Sequence, residues 1–263
     1  MKISIITVSL NSAENIADCI KSVVSQDYQD FEYILIDGGS SDGTIEIINK
    51  WRTRDSIVLS EADSGFYDAL NKGIGMASGD VIGILNADDV YANDRVLKKV
   101  AVCLEEGMVD SCYGDLVYVD PIDSGHVRRY WRAGNYSAKS FLQGWMPPHP
   151  TFFVRSKVYQ RYGGFNLELG TAADYELMLR FLARYKITTS YIPEVLVKMR
   201  MGGQSNATLL RRLAANRMDR KAWQVNGLKP CPWTLLLKPL SKIGQYFFRE
   251  PRAQGSRIRK SSC

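Results

Sequence analysis

Apolar and polar positions alternate in two periods along the first hundred residues. Ile3–Val8 is an unbroken apolar-rich run of strand length, and residues 12–25 follow with helical spacing. In that stretch Ser12 is placed to cap the N-terminus, and Ile16, Cys19, Ile20, Val23 and Val24 share one face. The same alternation continues. Phe31–Ile36 reads as a strand, Thr44–Arg52 as a helix, Ile57–Leu59 as a short strand, and Gly65–Met76 as a helix. Val81–Leu85 is a strand and Asp94–Leu104 a helix. Strands apolar on both faces, separated by amphipathic helices, predict an α/β fold built on a doubly wound, mostly parallel sheet.

The pattern changes near residue 107. Ser111–Val119 and Val127–Trp131 flank a Pro-Ile-Asp-Ser-Gly turn and predict a hairpin. A loop rich in Pro, Gly and aromatics spans Gln143–Pro150 and leads into a strand at Thr151–Val154. Ala173–Tyr185 has the spacing of an amphipathic helix. Ile187–Ile192 and Val195–Met199 read as two short strands, and Thr208–Gln224 as a basic helix. The expected organisation is an α/β half over residues 1–106, a small mixed β/α region of the same domain over 107–205, and a C-terminal helical tail over 206–263.

Charge sharpens the last boundary. Residues 211–263 hold 13 Lys and Arg against 2 Asp and Glu, whereas residues 1–210 hold 21 against 26. A mildly acidic body with a strongly basic end predicts a polyanionic surface as partner for the tail. Within it, Leu240, Ile243 and Phe247 share one helical face, with Lys238, Lys242 and Arg249 opposite, a layout suited to a bilayer interface. Packing of this helix on the domain is the competing expectation. The five cysteines are scattered, without the close spacing of a zinc site or disulfide framework. The chain enters a strand at once, without the layout of a signal peptide, and no apolar run is of membrane-spanning length; cytoplasmic residence is expected.

The chemistry gathers where the strands end. Four loops, Thr7–Ser12, the one from Asp37 to Thr44, Glu61–Gly65, and Asn86–Asp89, fall on one edge of a doubly wound sheet, the edge where such folds bind ligands. They carry Asp37, Glu61, Asp63, Asp88 and Asp89. Clustered carboxylates repel unless a cation or donors compensate them, and a divalent metal carrying a nucleotide diphosphate would do so. Turn formation and helix capping are the simpler uses of the same residues. Neither a GxGxxG fingerprint after the first strand nor a GxxxxGK[ST] phosphate loop is present.

In chain order the motifs are Ser4-Ile5-Ile6-Thr7-Val8-Ser9-Leu10-Asn11, Tyr33-Ile34-Leu35-Ile36-Asp37-Gly38-Gly39-Ser40-Ser41-Asp42-Gly43-Thr44, Glu61-Ala62-Asp63-Ser64-Gly65-Phe66-Tyr67-Asp68-Ala69-Leu70-Asn71-Lys72-Gly73, and Gly79-Asp80-Val81-Ile82-Gly83-Ile84-Leu85-Asn86-Ala87-Asp88-Asp89. This ordered set resembles the family 2 glycosyltransferases of the GT-A fold. The resemblance extends through Ala173-Asp174-Tyr175-Glu176 to about residue 205. It implies an inverting enzyme that takes sugar from a nucleotide-diphosphate donor, UDP-sugar favoured, to a glycan or polyprenyl-linked saccharide in cell-surface polysaccharide biosynthesis.

Residue roles follow from the same resemblance. Asp37, with Gly38 and the Asn11 loop, would meet the base or ribose, and Asp63 the ribose and sugar end. Thr7, Ser9, Asn71 and Lys72 would join the donor site. Asp89, then Asp88, would hold Mn²⁺ or Mg²⁺. Asn86 stands where the family's metal motif has its first Asp, and would serve as a hydrogen-bonding neighbour. Asp174 would be the catalytic base, with Glu176 as the nearby alternative. His149 would donate to a phosphate or sugar hydroxyl, and Arg200 would close over the diphosphate. Trp145, Phe66 and Tyr67 could wall a sugar, although core packing suits Phe66 and Tyr67 better. Peripheral attachment to the cytoplasmic face of the inner membrane would bring lipid-linked acceptors within reach. A nucleotide-sugar or polyanion binding module without transfer is the alternative function. Nucleic acid is disfavoured by the acidic sheet edge, and the oligomeric state is left open.

Overall fold

The computed structural model describes residues 1–121, 123, 125–202, 209–231 and 233–234. It is an α/β fold around one large sheet. The first four strands are β1 (Ile3–Ser9), β2 (Phe31–Asp37), β3 (Ile57–Ser60) and β4 (Val81–Ile84); then come β5 (Asp89–Tyr91), β6 (Ser111–Val119), β7 (Val127–Trp131), β8 (Phe153–Arg155) and β9 (Thr189–Arg200). Their order is β3-β2-β1-β4-β8-β6-β9-β5, with β7 on β6. β3, β2, β1 and β4 are mutually parallel. β8 runs against both β4 and β6, while β6 and β9 are parallel. The helices are α1 (Ile16–Val24), α2 (Thr44–Trp51), α3 (Phe66–Met76), α4 (Val96–Glu106), α5 (Ser156–Tyr162), α6 (Ala173–Met178) and α7 (Leu209–Val225).

β1 is buried along its whole length, and so are the last five residues of β2. That is the expected state of parallel strands covered by crossover helices. Gly83 marks where the sheet changes direction. A Cβ there would stand 2.3 Å from the Phe153 ring of β8, so only glycine lets the antiparallel strand close in.

Several elements differ from expectation. Regular helix in α1 begins at Ile16, not Ser12, because residues 12–15 form a turn of their own. The Ser12 hydroxyl donates to Leu10 rather than capping, and the loop across the sheet holds this turn through Asp42 and Thr44. The two short strands expected over 187–199 are one strand, β9. Pro193 and Glu194 fall where its register with Gly114 and Asp115 of β6 shifts, a bulge that absorbs a residue without an N–H. The helix expected over 173–185 widens to a π-turn over Leu179–Arg184, with Leu179, Phe181 and Leu182 all buried. β5 and α5 were not foreseen; β5 spans only three residues, below the length at which periodicity is readable.

The basic helix at the start of the tail packs on the domain. On α7 the Trp223 indole donates to the Tyr175 hydroxyl at 3.0 Å, and Asn226 donates to Glu176 at 3.0 Å. The amphipathic segment 238–249 lies outside the described residues. No helix among the described residues is long and apolar enough to cross a membrane.

Candidate active site

The four loops stand at the carboxyl ends of β1, β2, β3 and β4, on one edge, because those strands are parallel and adjacent. Asp37 ends β2 and is fully buried. Its carboxylate accepts from Ser9 Oγ at 3.1 Å, the Gly39 amide at 3.1 Å, the Ser40 amide at 2.9 Å, Ser40 Oγ at 2.5 Å and Ser60 Oγ at 2.9 Å. Burial pushes its pKa up, but these donors outweigh burial and hold it below the usual carboxylate range. Asp37 was expected to meet the nucleotide; the structure spends both of its oxygens on the loop. Ser9 is one of the donors, so it too builds the loop. Asn11 adopts a left-handed φ of 48°, and its side chain accepts from the Ser41 amide at 3.0 Å. Gly38 is required for closeness: a Cβ would stand 2.6 Å from an Asp63 carboxylate oxygen. Asp63 itself accepts from the Gly65 amide at 2.8 Å.

Other donor-site residues have partners within the protein. Thr7 is buried and accepts from the Tyr33 hydroxyl at 3.0 Å. Lys72 pairs with Glu61 at 2.8 Å and Asp68 at 3.8 Å. The Asn71 amide bridges α3 to the loop before α6, donating to the Phe165 carbonyl at 2.9 Å and accepting from its amide at 2.8 Å. In this structure Asn71 therefore fixes backbone rather than presenting an open amide to a ligand.

The acidic loop after β4 turns Asp89 inward, completely buried, while Asp88 keeps partial exposure. Burial, then the charge of Asp88, pushes the Asp89 carboxyl well above the usual range. Asn86 Nδ2 donates to Asp89 Oδ2 at 3.1 Å. Asn86 Oδ1 and Asp89 Oδ1 are buried with no hydrogen-bond partner. Buried oxygens without donors suit a hard cation. No group of three His, Cys, Asp or Glu converges among the described residues, so a cation here would take its remaining ligands from donor phosphates and water. Arg200, at the end of β9, lies beside this loop. It pairs with Asp18 at 2.7 Å and donates to the Asp88 carbonyl at 3.4 Å.

Asp174 comes from the distant half of the chain into the same cleft as Asn86, with His149 between β7 and β8 in sequence. Phe66, Tyr67, Leu70 and Phe165 help line this cleft. Asp174 Oδ2 is 3.5 Å from His149 Nδ1, and Asp174 Oδ1 accepts from the Tyr175 amide at 2.7 Å. Glu176 faces the other way: it is buried against Arg180 at 3.1 Å. Phe66 is 45% exposed at the cleft, not a core residue, whereas Tyr67 packs on Phe165 with ring centres 5.2 Å apart. Trp145 is no open wall. Its indole donates to the Ala133 carbonyl at 2.7 Å, within a cluster with Tyr113, Tyr136 and Phe141.

Sequence reasoning missed the Asn71 bridge and a buried network at Asp115, which accepts from Tyr130 at 2.6 Å, Tyr191 at 2.7 Å and the Ala133 amide at 2.8 Å. A charged residue inside the apolar run Ser111–Val119 was the available signal for that network.

Comparison with known proteins places this geometry. The family model described as Glycosyl transferase family 2 matches residues 4–163. The chain belongs to that family. An uncharacterized glycosyltransferase of Mycobacterium tuberculosis is 33% identical over 185 residues, covering 68% of this chain and 68% of that protein. A PGL/p-HBAD biosynthesis glycosyltransferase of Mycobacterium bovis is 31% identical over 208 residues, 77% of this chain and 78% of its own. Among solved structures, S. aureus TarS 1–349 in complex with UDP-GlcNAc superposes with a TM-score of 0.66 at 19% identity, over 86% of this chain and 66% of that one. The mannosyltransferase PcManGT of Pyrobaculum calidifontis, in complex with GDP-Man and Mn²⁺, gives 0.63 at 16% identity, over 89% and 67%. The fold is GT-A, and the chain is a glycosyltransferase.

Proposed function

We propose that this glycosyltransferase is inverting, with a nucleotide-diphosphate sugar, UDP-sugar favoured, as donor and a glycan or polyprenyl-linked saccharide as acceptor. One observation carries the reading: Asp174 and Asn86 of the acidic loop line one cleft although 88 positions separate them. Inversion needs a base facing the donor across the reacting carbon, and this cleft supplies both sides.

In the proposed step the acceptor hydroxyl oxygen bonds to the anomeric carbon as the bond from that carbon to the diphosphate breaks. The bonding electrons leave with the nucleoside diphosphate, and the hydroxyl proton passes to the Asp174 carboxylate. Mn²⁺ or Mg²⁺, held by Asp88 and Asp89 with Asn86 adjacent, would neutralise charge on the departing diphosphate. Gly38 and the loop built by Asp37 admit the nucleoside to the sheet edge, and Asp63 faces its ribose. A hexose or N-acetylhexosamine is the proposed sugar, in line with the GlcNAc and Man donors named for the structural neighbours. Attachment to the cytoplasmic membrane face through the basic tail completes the reading; deleting residues 229–263 should abolish sedimentation with anionic liposomes.

Calorimetry of UDP binding tests the metal. Affinity should rise with Mn²⁺ and the gain should vanish in Asp89→Ala; equal affinity with and without metal overturns that part. Asp174→Asn should retain UDP binding and lose turnover by about 10³-fold, the scale of a positioned general base. Wild-type turnover in that variant would move the base elsewhere.

A further inference from the structure

Asp174 does not stand alone in the cleft. Its helix, α6, follows a kink at Gly170, where φ is 48°, and continues into the π-turn over Leu179–Arg184. Two contacts hold the carboxylate. The Tyr175 amide holds Oδ1 at 2.7 Å. His149 Nδ1 faces Oδ2 at 3.5 Å. Tyr67 of α3 lines the same cleft, and burial, then the charge of Asp174, push its phenol pKa up. Tyr67 is itself rigid, packed edge-on against Phe66 with ring centres 5.1 Å apart and tilted against Phe165 at 5.2 Å.

We propose that His149 is a positioning residue that clamps the Asp174 carboxylate, and that it acts through Asp174 rather than on the donor phosphates or a sugar hydroxyl. This rests on the reading of Asp174 as the base. A carboxylate gripped on both oxygens keeps one rotamer, so its remaining lone pairs point where the acceptor hydroxyl must lie. The clamp also couples the base to imidazole charge. Protonated His149 pairs with Asp174 and weakens it as a base; neutral His149 leaves its basicity intact. The titratable groups that face Asp174 are Tyr67 from α3 and His149 from the turn His149–Thr151, with Tyr159 of α5 lining the same cleft. Tyr175 is turned to Trp223, and Glu176 to Arg180.

The chain has only two histidines, so the test can be spectroscopic. Imidazole proton resonances are titrated in the full chain and in Asp174→Asn. At 3.5 Å a carboxylate raises an imidazole pKa, so the variant should lower that of His149 by about one pH unit. His126, on the far hairpin, should not move and serves as the control. An unshifted His149 refutes the clamp whatever the activity. Kinetics supply the second arm. The donor is whichever of UDP-GlcNAc, UDP-glucose, UDP-galactose and GDP-mannose gives the fastest nucleotide release, and UDP is the binding probe. His149→Ala should lower kcat about tenfold with KM for the donor and UDP affinity unchanged, less than the roughly 10²-fold or more that losing the base itself costs. His149→Gln, which keeps a donor, should recover most of kcat and lose the imidazole from the acid limb of the pH profile. A raised KM and weakened UDP binding in His149→Ala would assign the residue to the phosphates and overturn the proposal. Wild-type turnover in Asp174→Asn, or no release from any donor by the wild-type chain, would instead sink the underlying reading of the base.

Discussion

Replacing Glu176 tests the packing that carries the proposed base. Glu176 is 2% exposed and sits two residues after Asp174. It binds Arg180 at 3.1 Å and accepts from Asn226, just past α7, at 3.0 Å. Arg180 in turn donates to the Tyr162, Gly163 and Gly164 carbonyls, tying α6 to the turn that follows α5. Removing one member of a buried pair costs about 3–5 kcal/mol, because the other charge stays behind. In Glu176→Gln the shape is kept and the three carbonyls still solvate Arg180, so the lower end, about 3 kcal/mol, applies; Glu176→Ala also loses the Asn226 acceptor and should cost about 5 kcal/mol. Unfolding entropy of about 2.1 cal/mol/K per residue over 263 residues makes 1 kcal/mol worth about 2 °C. The melting temperature should therefore fall by about 6 °C in the Gln variant and about 10 °C in the Ala variant, read by circular dichroism. Turnover measured well below the transition should fall only modestly in Glu176→Gln. A loss of several orders of magnitude at unchanged stability would make Glu176, not Asp174, the base. A melting shift under about 2 °C would refute the buried-pair argument.

Three further outcomes follow from the same geometry. Burial raises the Glu32 carboxyl, but Lys2, Ser4 and Ser78 outweigh it and lower its pKa to about 2, so its stabilisation is complete above the unfolded value of about 4.3 and is lost as pH falls toward 2. Urea midpoints at pH 5, 3.5 and 2.5 should drop more steeply in the wild type than in Glu32→Gln; parallel curves would count against it. Gly38→Ala drives a methyl toward the Asp63 carboxylate, 2.6 Å away, and should weaken UDP binding about tenfold by calorimetry, or 1.4 kcal/mol, with little change in melting temperature. Trp223→Phe removes the indole donor to Tyr175 and leaves a cavity at this buried site, so it should cost about 2–3 kcal/mol, with kcat reduced more than UDP affinity; an equal loss in both would show that α7 does not act through α6.

The first half was legible because its information is local. Each apolar run between helices is a buried strand, and each strand end is a loop, so the parallel order of β3, β2, β1 and β4 brings Asp37, Asp63 and Asp88 to one edge. What those side chains do there was harder to read. That Asp37 faces its own loop depends on Ser9 and Ser60, 28 and 23 residues away, and no period reports such pairs. The second half was less legible for the same reason. β8 inserts between β4 and β6 through three residues, and the bulge in β9 answers a glycine on another strand. Trp145 read as a sugar wall because the Tyr113 ring that packs against it comes from β6, 32 positions earlier.

The two halves solve different physical problems. A nucleotide can be met by backbone amides and small residues at a parallel sheet edge, positions set by the strands themselves. The proposed base must be aimed to within a fraction of an ångström, and Asp174 is only the second residue of its helix, after a kink at Gly170. The chain surrounds α6 with polar contacts: Asn71 of α3 fixes the loop before it, Arg180 in the π-turn after it binds the turn after α5, Trp223 braces it from α7, and Asn226 from just past that helix. Each of these groups is at least partly buried, where an unsatisfied partner is costly, so the arrangement tolerates few alternatives. It follows that substitutions in this second ring should spare nucleotide binding and reduce turnover. The basic helix α7, although part of the tail by charge, belongs by packing to the elements that brace α6.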